Sequence, residues 1–294
     1  MSRSVPVLGA LIAAVLFAAG NNLQRHAAAS DRHADAGPLR LFLRLLITPR
    51  WVAGGALALI ALFFHARALT QGGVILVQSV IATTLVFAIV IEAVLERRWL
   101  LRVELAGAVL VVVGVALLVG IGKPAASGEF RSVPKAVAVL AIALLVGLGA
   151  LAQSSRRQRG RRTAFLMGGA AGVCFALDAV FLRAAAASLS PVDHPVLLLN
   201  GTGFAVASLL GNLVVARAFQ SAPLRHVLPG LAAAEPVTAF ACGRLVFGEP
   251  LQGGTIGALA VGAGLLLMLV GVVLCALGSA YHREHPDPRP VPVG

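Results

Sequence analysis

The sequence predicts an all-α, polytopic membrane protein of about nine transmembrane helices, arranged as two inverted four-helix repeats joined by a linker helix. Three observations predict it. Hydrophobic residues make up 59% of the 294 residues and charged residues only 12%, and the mean hydropathy is +0.91, far beyond what a soluble core needs. The apolar residues fall in runs of about 20, the length that crosses a hydrocarbon core of about 30 Å. The third observation is an internal repeat. Ala106-Gly107, Leu110, Val113-Gly114-Val115 and Leu117 return 157 residues later as Ala263-Gly264, Leu267, Val270-Gly271-Val272 and Leu274. The same offset carries Glu92 onto Glu249, and an offset of 158 carries Phe17-Ala18 and Arg25 onto Phe175-Ala176 and Arg183.

Nine segments are expected to span: 5–24, 51–69, 74–95, 102–121, 134–153, 163–186, 195–216, 225–247 and 254–278. The first is too long for a signal-peptide core, ends in Asn21, Asn22 and Gln24, and is read as a retained helix. The run 39–47, Leu-Arg-Leu-Phe-Leu-Arg-Leu-Leu-Ile, is too short to span. It reads as an interfacial helix or as a tenth, partial one, with its arginines at the headgroups. The expected divisions are a first transmembrane repeat at 1–122, a linker helix with an Arg-rich cytoplasmic loop at 123–162, a second repeat at 163–280 and a disordered cytoplasmic tail at 281–294. Cys174, Cys242 and Cys275 lie inside apolar runs with no zinc or disulfide spacing, and are expected to be reduced core residues. Gly168-x-x-x-Gly172 is spaced for close helix approach.

The net charge of +12 first resembles a nucleic-acid signal. The charge sits between apolar runs, however, aromatics are only 5%, and no recognition motif is present, so nucleic acid is excluded as a partner. With the N-terminus outside, the inner loops and tail hold 17 arginines: 25, 32, 40, 44, 50, 97, 98, 102, 156, 157, 159, 161, 162, 217, 225, 283 and 289. The outer side holds Arg3, Lys123, Arg131 and Lys135, or 7 basic residues once Arg67, Arg183 and Arg244 are added. The positive-inside rule then places the N-terminus outside and the C-terminus in the cytoplasm. On that topology the first helix runs inward and the sixth outward, so the two repeats are inverted. Twenty-two of the 24 basic residues are Arg, and Ala and Val abound. That composition points to a GC-rich bacterial gene and hence to a bacterial plasma membrane.

Glu235-Pro236 is the sharpest chemical signal. Glu235 lies ten residues past Arg225, about 15 Å along a helix and near the midplane. A carboxylate there costs about 3 kcal/mol on the lenient scale, and desolvation works against its charged form, which suits proton coupling. Pro236 has no N–H, so the carbonyl of Ala232 loses its helical partner and can face a cavity or cation. Asp178 is a second acid inside a span and a functional candidate, the alternative being a structural bond to a polar partner such as Asn200 or Asn212. Gln78 stands where the repeat puts Glu235. Asn21, Asn22 and Gln24 are further candidates for a substrate or ion pathway. His65 and Arg67 read as end-of-helix residues that reach toward the interface, and Glu92 and Glu249 as helix-end or interfacial ion-pair groups. No nucleophile–base pair, phosphate loop or metal-ligand spacing occurs. The chain is not expected to be an enzyme, no cofactor is expected, and a catalytic residue is not assigned.

Glu235-Pro236-Val237, Val246-Phe247-Gly248-Glu249-Pro250-Leu251 and the Gly-rich final segment resemble the closing motif of EamA-type repeats in the drug/metabolite transporter (DMT) superfamily. Gln78-Ser79-Val80 through Glu92 is a weaker first copy, with Ser79 at the family's proline. EamA proteins have ten helices; the nine segments and expected outer N-terminus are similar to the NIPA-like magnesium-transporter branch, whose Val-Gln-Pro motif matches Val77-Gln78-Ser79. The resemblance implies transport of a small solute or ion by alternating access. The expected function is thus a secondary transporter of a small polar solute, a proton-coupled exporter. The alternatives are transport of Mg²⁺ or another divalent cation and a non-transporting membrane scaffold or subunit. The expected partners are a small-molecule or ionic substrate and the lipid bilayer, with a homodimer left open.

Overall fold

The computed structural model of the chain describes residues 4–30, 47–126, 133–155, 160–189, 192–221, 224–251 and 254–284. Among them are nine α-helices: α1 Ser4–Ser30, α2 Pro49–Ile81, α3 Thr84–Leu95, α4 Arg102–Leu117, α5 Val133–Ser155, α6 Arg161–Ala187, α7 His194–Ser221, α8 Leu224–Leu245 and α9 Gly254–Glu284. Seven of them are long and apolar enough to cross a membrane. The chain is therefore a polytopic helical membrane protein. The other two are α3, which has 12 residues, and α8, which carries Pro229 and Pro236 inside it. The arginine run at 156–159, the 39–46 part of the expected interfacial segment and the tail from 285 lie outside the described residues. The first four residues of the expected tail, 281–284, are helical.

Helix α2 is two arms, not one rod. Gly73 adopts φ 80, ψ 170, a conformation a side chain would resist. In a straight helix His65 and Gln78 would stand about 20 Å apart, yet His65 Nε2 meets Gln78 Oε1 at 3.1 Å. The chain therefore reverses at Gly73, as the separate segments 51–69 and 74–95 require. The second of those segments is itself broken at Ala82-Thr83, where Thr83 Oγ1–H turns back to the Val80 carbonyl at 2.6 Å.

Packing relies on small residues, because lipid offers no hydrophobic drive between helices and close backbone approach must supply the attraction. Helix α1 runs antiparallel to the first arm of α2. A Cβ on Gly9 would sit 3.5 Å from that of Ala68, and one on Gly20 would sit 2.8 Å from the Gly54 carbonyl oxygen. Helices α4 and α9 form a second antiparallel seam. A Cβ on Gly107 would lie 2.6 Å from the Gly271 carbonyl oxygen, and one on Gly264 would lie 2.7 Å from that of Gly114. Leu59, Leu145, Leu198 and Ile256 are among the large apolar side chains left facing outward, as a lipid-facing surface requires. The main core joins Leu69, Val74, Val77 and Val80 of α2 to Val180 and Phe181 of α6 and Ala239 of α8.

At the arginine-rich end, Glu104 sits in the first turn of α4. It accepts the Leu101 N–H at 2.9 Å and both Arg98 guanidinium nitrogens at 2.9 and 3.2 Å. Burial works against the Arg98 charge, but the bond and charge of Glu104, with Glu92 and Glu96 nearby, outweigh it and hold the guanidinium above its ordinary pKa.

Gly271→Ala tests the α4–α9 seam. Its methyl would lie 2.6 Å from the Gly107 carbonyl oxygen and 2.7 Å from the Val111 nitrogen, backbone atoms that cannot step aside. Overpacking of this kind costs about 1–3 kcal/mol. A thermal melt in detergent followed by size-exclusion recovery should show a clear drop, whereas Gly262→Ala, with open space around it, should melt like the parent.

Candidate functional site

Helices α6 and α8 lie side by side and run in the same direction. A Cβ on Gly172 would come within 2.6 Å of the Leu231 carbonyl oxygen and 3.0 Å of the Glu235 nitrogen, and one on Gly230 within 3.0 Å of the Gly169 nitrogen. Absence of a side chain at Gly172 thus lets α8 seat against α6 at the turn carrying Glu235. Six residues beyond Gly172, Asp178 projects from the same helix. Its Oδ2 accepts the Ser208 hydroxyl of α7 at 2.8 Å. This replaces the alternative partners: Asn200 Nδ2 instead bonds the Val196 carbonyl and Asn212 Nδ2 the Ser208 carbonyl, each at 2.8 Å.

Asp178 and Glu235 thus stand on two helices in direct contact at the Gly172 turn. Both are half-buried. Among the described residues nothing hydrogen-bonds the Glu235 carboxyl, and the Pro236 ring leaves the Ala232 carbonyl without its helical donor. Two of the sequence candidates are thus on adjacent helices, each well inside its helix, with the Ser208 hydroxyl on Asp178 and the freed Ala232 carbonyl one turn before Glu235.

The first-half candidates are not hydrogen-bonded to this pair. Gln78 is 5% exposed and holds His65. His65, expected near the interface, is 7% exposed and turned inward, with the Phe17 ring edge-on at 6.0 Å; Arg67 is exposed, as expected of an end residue. Asn22 Nδ2 donates to the Ala18 carbonyl at 2.9 Å and to the Ala88 carbonyl at 3.2 Å, tying α1 to α3. Gln24 packs its stem on Gly54, whose Cβ would meet Gln24 Cγ at 2.7 Å. Asn21 is exposed on the outer surface of α1, not turned into the bundle. These side chains have short polar reach and find helix partners first, which is the common outcome for amides in lipid.

A second polar centre was read from the sequence only as helix-end ion pairing. Glu249, in the connection after α8, is fully buried. Its carboxylate accepts the Val74 N–H at 2.6 Å and the Ile75 N–H at 2.9 Å, the first free donors after the Gly73 reversal. It is also ion-paired with Arg183 of α6, whose guanidinium lies 3.9 Å from the centre of the Phe247 ring. Arg244 donates to the Glu249 carbonyl. Burial lifts the Glu249 carboxyl above its ordinary pKa, against the opposing pull of Arg183 and the two amides. Glu92, its partner in the repeat, is buried inside α3, so the two glutamates occupy different backbone settings. The signal was present in the sequence, because Arg183 and Glu249 are both among the charged repeat matches.

Cys174, Cys242 and Cys275 are free and buried. Among the described residues no group of three or more His, Cys, Asp and Glu side chains gathers as a metal site.

The chain is 31% identical over 276 residues to an uncharacterized protein of Corynebacterium glutamicum, an alignment spanning 92% of this chain and 94% of that protein. It belongs to the same family as that protein. No family model matches the chain, and no solved structure matches it.

The two centres predict opposite responses to loss of an acid. Replacing an acid that has no hydrogen-bond partner among the described residues relieves desolvation, so Glu235→Leu should leave the detergent melting temperature unchanged or higher. Glu249→Leu strands Arg183 and two amides, and should cost about 3–5 kcal/mol. Parallel thermal melts of the two variants check the contrast.

Proposed function

We propose that the protein is a secondary transporter of a bacterial plasma membrane, moving a small polar solute by alternating access in exchange for protons. The observation that carries this reading is the Asp178–Glu235 pair. Two acids inside a span are costly, and an intramembrane acid without a structural partner marks a pathway. Glu235 would carry the proton, since among the described residues it has no hydrogen bond to lose on changing its charge. Asp178, steered by Ser208, would bind the polar end of the solute. The Ala232 carbonyl, freed by Pro236, adds an acceptor to the same wall. Loading one site with either proton or solute is sufficient for exchange.

The α4–α9 seam supports the inverted-repeat part of the reading. The repeat offset of 157 pairs Gly107 with Gly264 and Gly114 with Gly271. The contacts cross: Gly107 meets Gly271, and Gly264 meets Gly114. Exchanging the two halves converts one contact into the other, which is the behaviour of a two-fold axis lying in the membrane. On this reading there are nine spans, the two arms of α2 counting separately and α3 completing the second, with α5 as the linker. The arginine count orients the N-terminus outside and the C-terminus in the cytoplasm.

Two carboxylates, a hydroxyl and a carbonyl also form an oxygen-rich set, and this favours Mg²⁺ as a second reading. The discriminating experiment is uptake and efflux in proteoliposomes, with and without a pH gradient, using a panel of amino acids and Mg²⁺. The first reading expects flux of an organic solute that follows the pH gradient. Glu235→Gln should abolish the dependence on that gradient, lowering gradient-driven flux at least tenfold while leaving the protein monodisperse. An unchanged pH profile in Glu235→Gln would remove the proton-coupling role, and Mg²⁺ flux with no organic flux would reverse the order of the readings.

A further inference from the structure

The Glu249 centre joins the two halves of the chain at one end of the bundle. Val74 and Ile75 belong to the first half, at the tip of the α2 hairpin. Arg183 and Glu249 belong to the second. Room for the carboxylate comes from two bare positions: a Cβ on Gly73 would lie 2.6 Å from Glu249 Oε1, and one on Gly243 would lie 2.9 Å from Oε2. The connections beside it also meet, with the Ala125 N–H donating to the Pro250 carbonyl at 3.2 Å. From these contacts we propose that Glu249 and Arg183, with the α2 hairpin tip, form a releasable latch that holds this end of the bundle closed. The proposal rests on the alternating-access reading.

The chemistry of the contact separates a latch from a permanent staple. At the α4–α9 seam the halves meet backbone to backbone through glycines, and parting them would forfeit close packing along several turns. At the Glu249 end one ion pair and two N–H bonds converge on a single carboxylate, beside the apolar packing of Val74 and Ile75. Polar bonds exchanged for water bonds change free energy little, and a bundle end is where water enters. The amides of Val74 and Ile75 are the orphan donors of a helix start, which Glu249 satisfies when docked and water satisfies when it leaves. The seam therefore serves as a fulcrum and the latch as the part that opens. Thr70, on the hairpin, and Leu245, at the end of α8, are both exposed on either side of it.

Spin labels at Thr70 and Leu245 test this by pulsed electron resonance in proteoliposomes, on a background with Cys174, Cys242 and Cys275 changed to alanine. The parent should give a dominant short separation. Glu249→Gln and Arg183→Gln should each move a large share of the distribution to a separation longer by several ångströms. Glu249→Asp, which keeps the charge but withdraws it by one methylene, should fall between. Distributions unchanged in all three variants overturn the latch and leave a static staple. Failure of all three to assemble as monodisperse protein overturns it as well, since a contact that must open cannot be required for the fold. A lengthened distribution in a protein that moves no solute would retire the transport reading and leave the latch standing.

Discussion

The interaction that ties the two halves of the chain together at one end of the bundle is the buried carboxylate of Glu249. A chain that reverses direction inside a membrane protein leaves the first backbone donors of the next helical arm without an intrahelical partner. The reversal at Gly73 creates that problem at Val74 and Ile75, and Glu249 resolves it from 174 residues away. Arg183 then balances the charge that Glu249 brings. One carboxylate thereby fixes the hairpin of the first half against α6 and the α8–α9 connection of the second. The register of the remaining helices follows, since the second arm of α2 is what packs Val77 and Val80 onto α6.

Polar residues within this apolar chain divide by how they are satisfied. Asn22, Gln78 and His65 are spent on neighbouring helices, each with a named partner at hydrogen-bond distance. Glu249 and Arg183 satisfy one another at the end of the bundle. Asp178 and Glu235 stand apart, because two acids sit on adjacent packed helices and, among the described residues, the Ser208 hydroxyl is the side-chain donor they have. Desolvation makes that arrangement expensive unless something visiting the site completes it. Both acids lie in the second half of the chain.

The helical membrane architecture was legible because span length and hydropathy leave few alternatives, and the gap between the segments 51–69 and 74–95 already separates the two arms that Gly73 divides. Glu235 and Asp178 were legible because a carboxylate is conspicuous among Ala, Val and Phe. Their proximity was not, since it depends on Gly172 bringing α8 against α6, and the Gly-x-x-x-Gly spacing does not say which helix will fill the groove. Ser208 was hidden for a similar reason: a serine in a span is unremarkable until a carboxylate faces it. His65 was misplaced because its position near the end of a segment implied the interface, while the hairpin brought Gln78 beside it. The sequence suggests helix-end ion pairing for Glu249, and Arg183 provides it, but the Val74 and Ile75 amides carry no residue signature.

The central claim, that one buried ion pair couples the two halves, is tested most directly by a double-mutant cycle on Arg183 and Glu249. The cycle uses Arg183→Met, Glu249→Leu and the double variant, with unfolding free energies measured in the same detergent. The account predicts that the double variant is less damaged than the two single losses added together, with a coupling energy of about 1–3 kcal/mol. Additive losses, with coupling within a few tenths of zero, would contradict it.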